Sequence, residues 1–270
     1  MSKEKQTNNP QYGNWVSNKL VKKTIIVLVF FIFAFVLLFI LPIPSSGLLV
    51  AFKGICLFLV IILLITLAYF LKAKQVFSYT GGKLQDKVLD EIITKIQWDG
   101  EGKALDIGCG SGALTIKLAK KFKNARITGL DYWGSDWDYC KSQCETNTKI
   151  MRVNKNIEFL KASASNLPFE NEVFDLVVSN MTFHEVNDCK NKLNPVREAL
   201  RVLKKDSIFV FQDLFKLKPY FGTIDELLNN IKDMGIRDVK FADTSQLTFI
   251  PKMMKLPFML GTVGIIYGIK

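Results

Sequence analysis

The sequence predicts an α/β chain: a largely parallel sheet covered by helices on both faces, preceded by two helices of membrane length. Two observations carry this. Short apolar strands alternate with amphipathic helical segments through the last two thirds of the chain, and two long apolar runs occupy the first third. Strands spaced by helical pattern indicate βαβ units and a parallel sheet. At 270 residues there is room for one large domain, or for a moderate domain with an added module.

The apolar runs explain an otherwise odd composition, in which 49% hydrophobic residues coexist with a net charge of +11. From Thr24 to Leu41, "TIIVLVFFIFAFVLLFIL" carries no charge, and from Leu48 to Leu71 only Lys53 interrupts a second run. Roughly 17 to 25 apolar residues cross a bilayer core. The alternative, a pair of buried core helices, is disfavoured because two adjacent runs apolar all round leave no polar face to present to water. A cleavable signal is a poor fit, because the first run is too long for one and a second follows at once. Pro42, Pro44 and Gly47 suit a turn between antiparallel spans. Lys19, Lys22 and Lys23 precede the first span and Lys72 and Lys74 follow the second, while the turn is uncharged. The positive-inside rule then places both flanks in the cytoplasm, at a cell membrane crossed twice. Lys53 can reach the outer interface along its own stem. The expected organisation is a polar tail over 1–22, a hairpin over 23–72 and a globular domain over 73–270.

Within that domain, hydrophobic periodicity places a helix over 83–96 and strands at 104–107, 126–130, 157–162, 174–180 and 208–213. Helices are expected near 113–122, 136–149, 194–203 and 223–233, and "VKFAD" and "GIIYGI" read as two last strands. Ligands in such sheets bind beyond the carboxyl ends of the strands. The five cysteines, at 56, 109, 140, 144 and 189, form no zinc-type pair of pairs, so no metal is implied.

The stretch "KALDIGCGSGALT" runs from a strand through Gly108, Gly110 and Gly112 into a helix. No lysine follows the glycines, which excludes a P-loop. Gly108, Gly110 and Ala113 do satisfy a dinucleotide fingerprint. Asp106 argues for a different guest, since a carboxylate there would repel a pyrophosphate and attract a cation. S-adenosylmethionine (SAM) offers a sulfonium and an ammonium, and its carboxylate can meet the free N–H groups of the helix start. Asp131, 19 residues after Gly112, suits the ribose hydroxyls of SAM or NAD alike. Tyr132 offers an adenine a ring face.

Taken together, "LDIGCGSG", "GLDYW", "ASNLPF", "FDLVVSN" and "EALRVLKKD" resemble motifs I to V of the class I SAM-dependent methyltransferases. The likeness is to the small-molecule group that includes the quinone-biosynthesis C-methyltransferases, and it covers Lys103 to about Asp213. It implies a seven-stranded Rossmann-like sheet in the order 3-2-1-4-5-7-6 with the seventh strand antiparallel. It also implies that Asp106, Gly108, Cys109, Gly110 and Gly112 hold the methionine part, Asp131 the ribose and Tyr132 the adenine. Ser163 and Ala164 stand where the family has an acidic and a small residue for the adenine amino group. Asn180 closes the cofactor set, and "LKKDS" replaces a common Lys-Pro-Gly-Gly turn.

After the fourth strand, "NMTFHEV" brings Asn180, Met181, Phe183 and His184 towards the transferred methyl. His184 is the only histidine in the chain, and an unperturbed imidazole suits proton transfer near neutrality. It is the candidate catalytic residue, against a packing or loop-orienting role. The segment 247–261, "LTFIPKMMKLPFMLG", either packs between the last two strands or rests on a membrane surface and admits a lipophilic acceptor. Scattered lysines without a recognition motif disfavour nucleic acid. The resulting expectation is a membrane-anchored methyltransferase acting on a small or lipid-like acceptor. A SAM-binding scaffold without turnover and an NAD-dependent oxidoreductase are the rivals.

Overall fold

A computed structural model describes residues 9–41, 46–134 and 138–270. The proposed turn prolines, Pro42 and Pro44, lie outside the described residues. The described residues divide into two compact units, one of residues 14–41, 46–85 and 138, the other of residues 9–13, 86–134 and 139–270.

The first unit is a pair of helices, α1 (Asn18–Ile40) and α2 (Gly47–Phe77). Both start on a serine whose hydroxyl accepts a backbone N–H: Ser17 from Leu20 at 3.1 Å and Ser46 from Leu49 at 3.2 Å. Both extend beyond the apolar runs themselves, to Asn18 and Phe77. Their apolar windows are only 11% and 6% buried, and Phe30, Phe33 and Phe58 are more than 60% exposed. By length and composition each could cross a bilayer. The low burial is the opposite of what a soluble core helix shows. Lys53 rests its ammonium 4.2 Å from the centre of the Phe39 ring, a cation–π contact.

The second unit is the sheet. In chain order it comprises α3 (Leu84–Lys95), β1 (Lys103–Ile107), α4 (Ala113–Lys121), β2 (Arg126–Asp131), α5 (Lys141–Ile150), β3 (Ile157–Lys161), β4 (Phe174–Asn180), α6 (Leu193–Arg201), β5 (Leu203–Asp213), α7 (Lys218–Phe221), α8 (Ile224–Lys232), β6 (Asp238–Ala242) and β7 (Gly264–Ile269). The strand order is 3-2-1-4-5-7-6, with β7 antiparallel to both β5 and β6.

Continuous apolar runs such as Leu176-Val177-Val178 follow from burial on both faces. On one face Leu105, Ile107, Val177, Phe209 and Phe211 pack with α6 and α8 through Val196, Leu200, Leu227 and Ile231. On the other, Ala104, Leu176, Val178 and Val210 meet Leu89 and Ile92 of α3, Ile96 just after it, and Leu114 and Leu118 of α4. α8 is closed at its start by a capping box between Thr223 and Glu226. In "LKKDS" Asp206 takes φ +58°, a left-handed conformation that a glycine adopts more easily.

Order reverses between β1 and β4, so the crevice at their carboxyl ends is the switch point where ligands enter such sheets. Everything singled out around "DIGCGSG" lies at that end.

Candidate active site

Asp106, at the end of β1, is 1% exposed, and the Thr115 hydroxyl of α4 donates to its Oδ2 at 2.6 Å. Burial raises this carboxyl to about 7, against the opposing Thr115 hydrogen bond and with Asp131 adding to the rise. Because the folded value lies above the ordinary 3.8, the stability it contributes is full below that value and is lost as pH rises through about 7. A bound cation reverses the preference and favours the ionised form. The affinity for S-adenosylhomocysteine (SAH), whose ammonium remains positive, is therefore expected to rise about tenfold between pH 6 and pH 8, with proton release at pH 6. Calorimetry in buffers of different ionisation enthalpy reads both.

The glycine loop is fastened to the end of β2. Gly108 and Cys109 donate to the Leu130 carbonyl at 2.7 and 3.0 Å, and Gly110 donates to Asp131 Oδ2 at 2.8 Å. Gly108 has φ +73°. Gly112 caps α4 at φ +80°, so the loop reaches the helix start only through left-handed glycines. Asp131 also accepts the Trp133 N–H at 2.7 Å on Oδ1. Burial raises Asp131, against the Trp133, Gly110 and Tyr132 N–H groups that stabilise its charge. Each carboxylate oxygen can accept a second bond, which leaves capacity for two ribose hydroxyls.

The remaining cofactor candidates fall around this frame. Tyr132 is 65% exposed, whereas the Trp133 indole turns inward and donates to the Gly110 carbonyl at 2.8 Å. Ser163 forms a local turn, sharing a hydrogen bond with the Ser165 hydroxyl at 2.9 Å, and Ala164 is buried beside it. Cys109 packs with Cys144 and Phe159, and burial pushes its thiol well up, with Cys144 adding to the rise. It is a packing thiol, not a nucleophile. Asn180 ends β4 with its amide oxygen buried and without a partner among the described residues.

His184 is not the free imidazole that its position suggests. Its Nδ1 lies 2.5 Å from Asp213 Oδ1, and its Nε2 3.3 Å from Glu185 Oε1. Burial pulls the imidazole down, but the charge and hydrogen bond of Asp213, with Glu185, outweigh it and raise the pKa above its ordinary range. The ring therefore holds its proton more tightly than a free imidazole does. Asp213, fully buried at the end of β5, also accepts N–H groups from Thr182 at 3.1 Å, Phe183 at 2.7 Å and Leu214 at 2.7 Å. It is the organiser of the loop after β4. The only sequence signal for it is its place at the end of "IFVFQD".

Part of the polar tail lies against the glycine loop. Gln11 donates its N–H to Asn147 Oδ1 at 2.8 Å, and Asn147 Nδ2 donates to the Gln11 carbonyl and to the Ser111 carbonyl, each at 2.9 Å. The Ser111 hydroxyl donates to the Tyr12 carbonyl at 2.8 Å. Residues 11 and 12 are therefore strapped onto the glycine loop rather than trailing from the hairpin. A polar stretch of this kind gives no sequence signal of its partner.

Two acidic strand ends bracket a glycine loop on a sheet whose seventh strand runs antiparallel, the arrangement that the sequence resemblance implies. Residues 105–211 match the family model described as a methyltransferase domain, and methyltransferase relatives matching this part of the chain point to SAM as its cofactor. Among curated relatives, a malonyl-[acyl-carrier protein] O-methyltransferase of Geobacter sulfurreducens is 31% identical over 47% of this chain and 45% of its own length. The ubiquinone/menaquinone biosynthesis C-methyltransferase UbiE of Rickettsia massiliae is 31% identical over 48% of this chain and 50% of its own. The chain spans about half the length of the curated relatives it matches.

Among solved structures, the [4+2]-cyclase SpnF superposes with TM-score 0.53 at 18% identity, covering 68% of this chain and 80% of that one. The geranyl diphosphate C-methyltransferase of Streptomyces coelicolor, solved with SAH, gives 0.52 at 12% identity, covering 69% and 78%. These two likenesses establish the fold.

The residues present fit SAM. A buried carboxylate that rests near neutrality and an unpartnered amide oxygen at Asn180 both call for a positive, hydrogen-donating group, which the methionine ammonium supplies.

Proposed function

We propose that the whole chain is a membrane-anchored methyltransferase that modifies a small, lipophilic acceptor at the cytoplasmic face. The observation that carries the transfer reading is the glycine loop held between Asp106 and Asp131, an arrangement that suits a cationic nucleoside and not a pyrophosphate. Bound SAM would supply an electrophilic methyl group on a positive sulfur. Asp106 and Asn180 would hold its ammonium, the first turn of α4 its carboxylate and Asp131 its ribose. Because methyl transfer needs in-line approach, the chain contributes mainly positioning and exclusion of water. His184 acts through Asp213 by fixing Met181 to Glu185. An acceptor handled here brings its own nucleophilic atom, already ionised or easily deprotonated by solvent.

The lipophilic acceptor and the anchoring rest on the two exposed apolar helices, with a second support in 247–261. That segment divides its labour: Ile250, Met254 and Leu260 are buried, while Leu256 and Phe258 are exposed beside Lys252 and Lys255. Apolar tips among lysines suit a lipid interface. Incubating membranes that contain the full chain with methyl-labelled SAM tests the proposal. Label is expected in the organic-extractable fraction and to vanish with Asp106→Ala; label confined to protein or to water-soluble products contradicts a lipophilic acceptor.

One observation favours a second reading. With its Nδ1 held by Asp213, His184 is not a free base, as suits a SAM-binding scaffold, and a cyclase shares the fold. Absence of any labelled product, with SAH binding intact, would favour the scaffold.

A further inference from the structure

Gln212, near the end of β5, is 1% exposed, yet its amide oxygen has no hydrogen-bond partner among the described residues. Its one bond runs from Nε2 to the Thr244 hydroxyl at 3.4 Å. Turning the amide over changes nothing in substance, since a single partner leaves one of its two ends unmet. Buried polar groups are nearly always paired, so each exception calls for a cause.

A second exception stands beside it. Gln212 is in register with Asn180 of β4, whose amide oxygen is likewise buried and unpartnered. Paired residues on neighbouring strands point to the same face, so the two oxygens face the same side. Asp106 shares that face, because it pairs with Val178, two residues before Asn180. Three acceptor side chains thus form a row across the carboxyl ends of β1, β4 and β5, above the apolar cluster of Val178, Val210 and Ile265. Neighbouring strands lie about 5 Å apart, so Gln212 stands about 10 Å from β1, beyond the reach of a group bound over the glycine loop.

We infer that Gln212, with Thr244 beside it, is the subsite for the methyl acceptor and receives a hydroxyl or N–H donor of that molecule. The inference rests on the methyltransferase reading above and narrows the acceptor to one carrying a hydrogen-bond donor near its apolar body. Removing the donor from the ligand leaves the buried oxygen unmet, which is how such sites reject analogues. An anionic head group gains nothing from Gln212 Oε1 or Asn180 Oδ1.

The test uses the full chain in detergent, saturated with SAH, and two probes matched in apolar shape: 1-naphthol and 1-methoxynaphthalene. The naphthol is expected to bind about tenfold tighter or better, since an unmet buried acceptor carries a penalty of that order. Gln212→Leu should reduce the preference to within about threefold while leaving SAH affinity within about twofold and thermal stability undiminished. A structural amide would instead lose stability on replacement, so a fall in melting temperature of Gln212→Leu overturns the inference. So does equal binding of the two probes, failure of both to bind, or a preference that survives in Gln212→Leu. If SAH itself does not bind the parent chain, the methyltransferase reading fails and the subsite falls with it; SAH binding without a naphthol preference sinks the subsite alone.

Discussion

Replacing Asp213 with alanine is expected to cost about 3–5 kcal/mol of stability, the range for breaking a buried ion pair from one side. Four donors converge on this carboxylate: the N–H groups of Thr182, Phe183 and Leu214, and the His184 ring. Alanine leaves the N–H groups of Thr182, Phe183 and Leu214 without this acceptor and the His184 ring without the carboxylate that holds its Nδ1. Asp213→Asn keeps the shape but offers one oxygen where two accept, so an intermediate loss is expected. Thermal unfolding of the full chain in detergent measures both. His184→Gln should be milder than either, because the carboxylate keeps its three backbone donors. Equal losses for Asp213→Ala and His184→Gln would mean that the pair, and not the loop, is what Asp213 supports.

Gly108→Ala should abolish most cofactor binding, with SAH affinity falling about 100-fold, because backbone strain and overpacking act together. At φ +73° any side chain is strained, and a Cβ would stand 1.9 Å from the Thr182 hydroxyl. Thr182 cannot turn aside freely, since that hydroxyl bonds the Ile107 carbonyl at 3.2 Å and the Asn180 carbonyl at 3.0 Å. Gly110→Ala provides the contrast. It shares a positive φ of +55°, but its Cβ would meet only the Tyr139 ring at 3.5 Å. Its cost should be the left-handed penalty alone, about 1–2 kcal/mol or roughly tenfold in affinity. Similar losses at the two positions would show that conformation, and not the Thr182 contact, sets the loop's tolerance.

Much of the sheet was legible because burial on both faces writes itself as unbroken apolar runs. "FDLVVSN" coincides with β4 and "GIIYGI" with β7 residue for residue. Boundaries drifted where polar residues continue a strand, as in β5, which starts at Leu203 through "KKDS" because its first residues pair beside the Lys270 terminus. The glycine loop was legible for a chemical reason: few residue types tolerate its backbone, and Asp106 carries a charge that selects the guest. The partners that complete the site were not legible. Asp213, Gln212 and Asn147 gain their meaning from neighbours 29 to 136 residues away, and nothing in their own surroundings in the chain announces it. His184 shows the converse: the sequence offers a free imidazole, and a buried carboxylate from another strand pairs with it and raises its pKa.

The central claim is that the loop from Gly108 to Gly112 holds SAM through flanking carboxylates. Calorimetric titration of the full chain with SAH and with NADH, beside Asp106→Ala, tests it most directly. Saturable binding of SAH, lost in the variant, with no heat from NADH, is the predicted result. Binding of NADH in place of SAH would contradict the claim and make this a dinucleotide site.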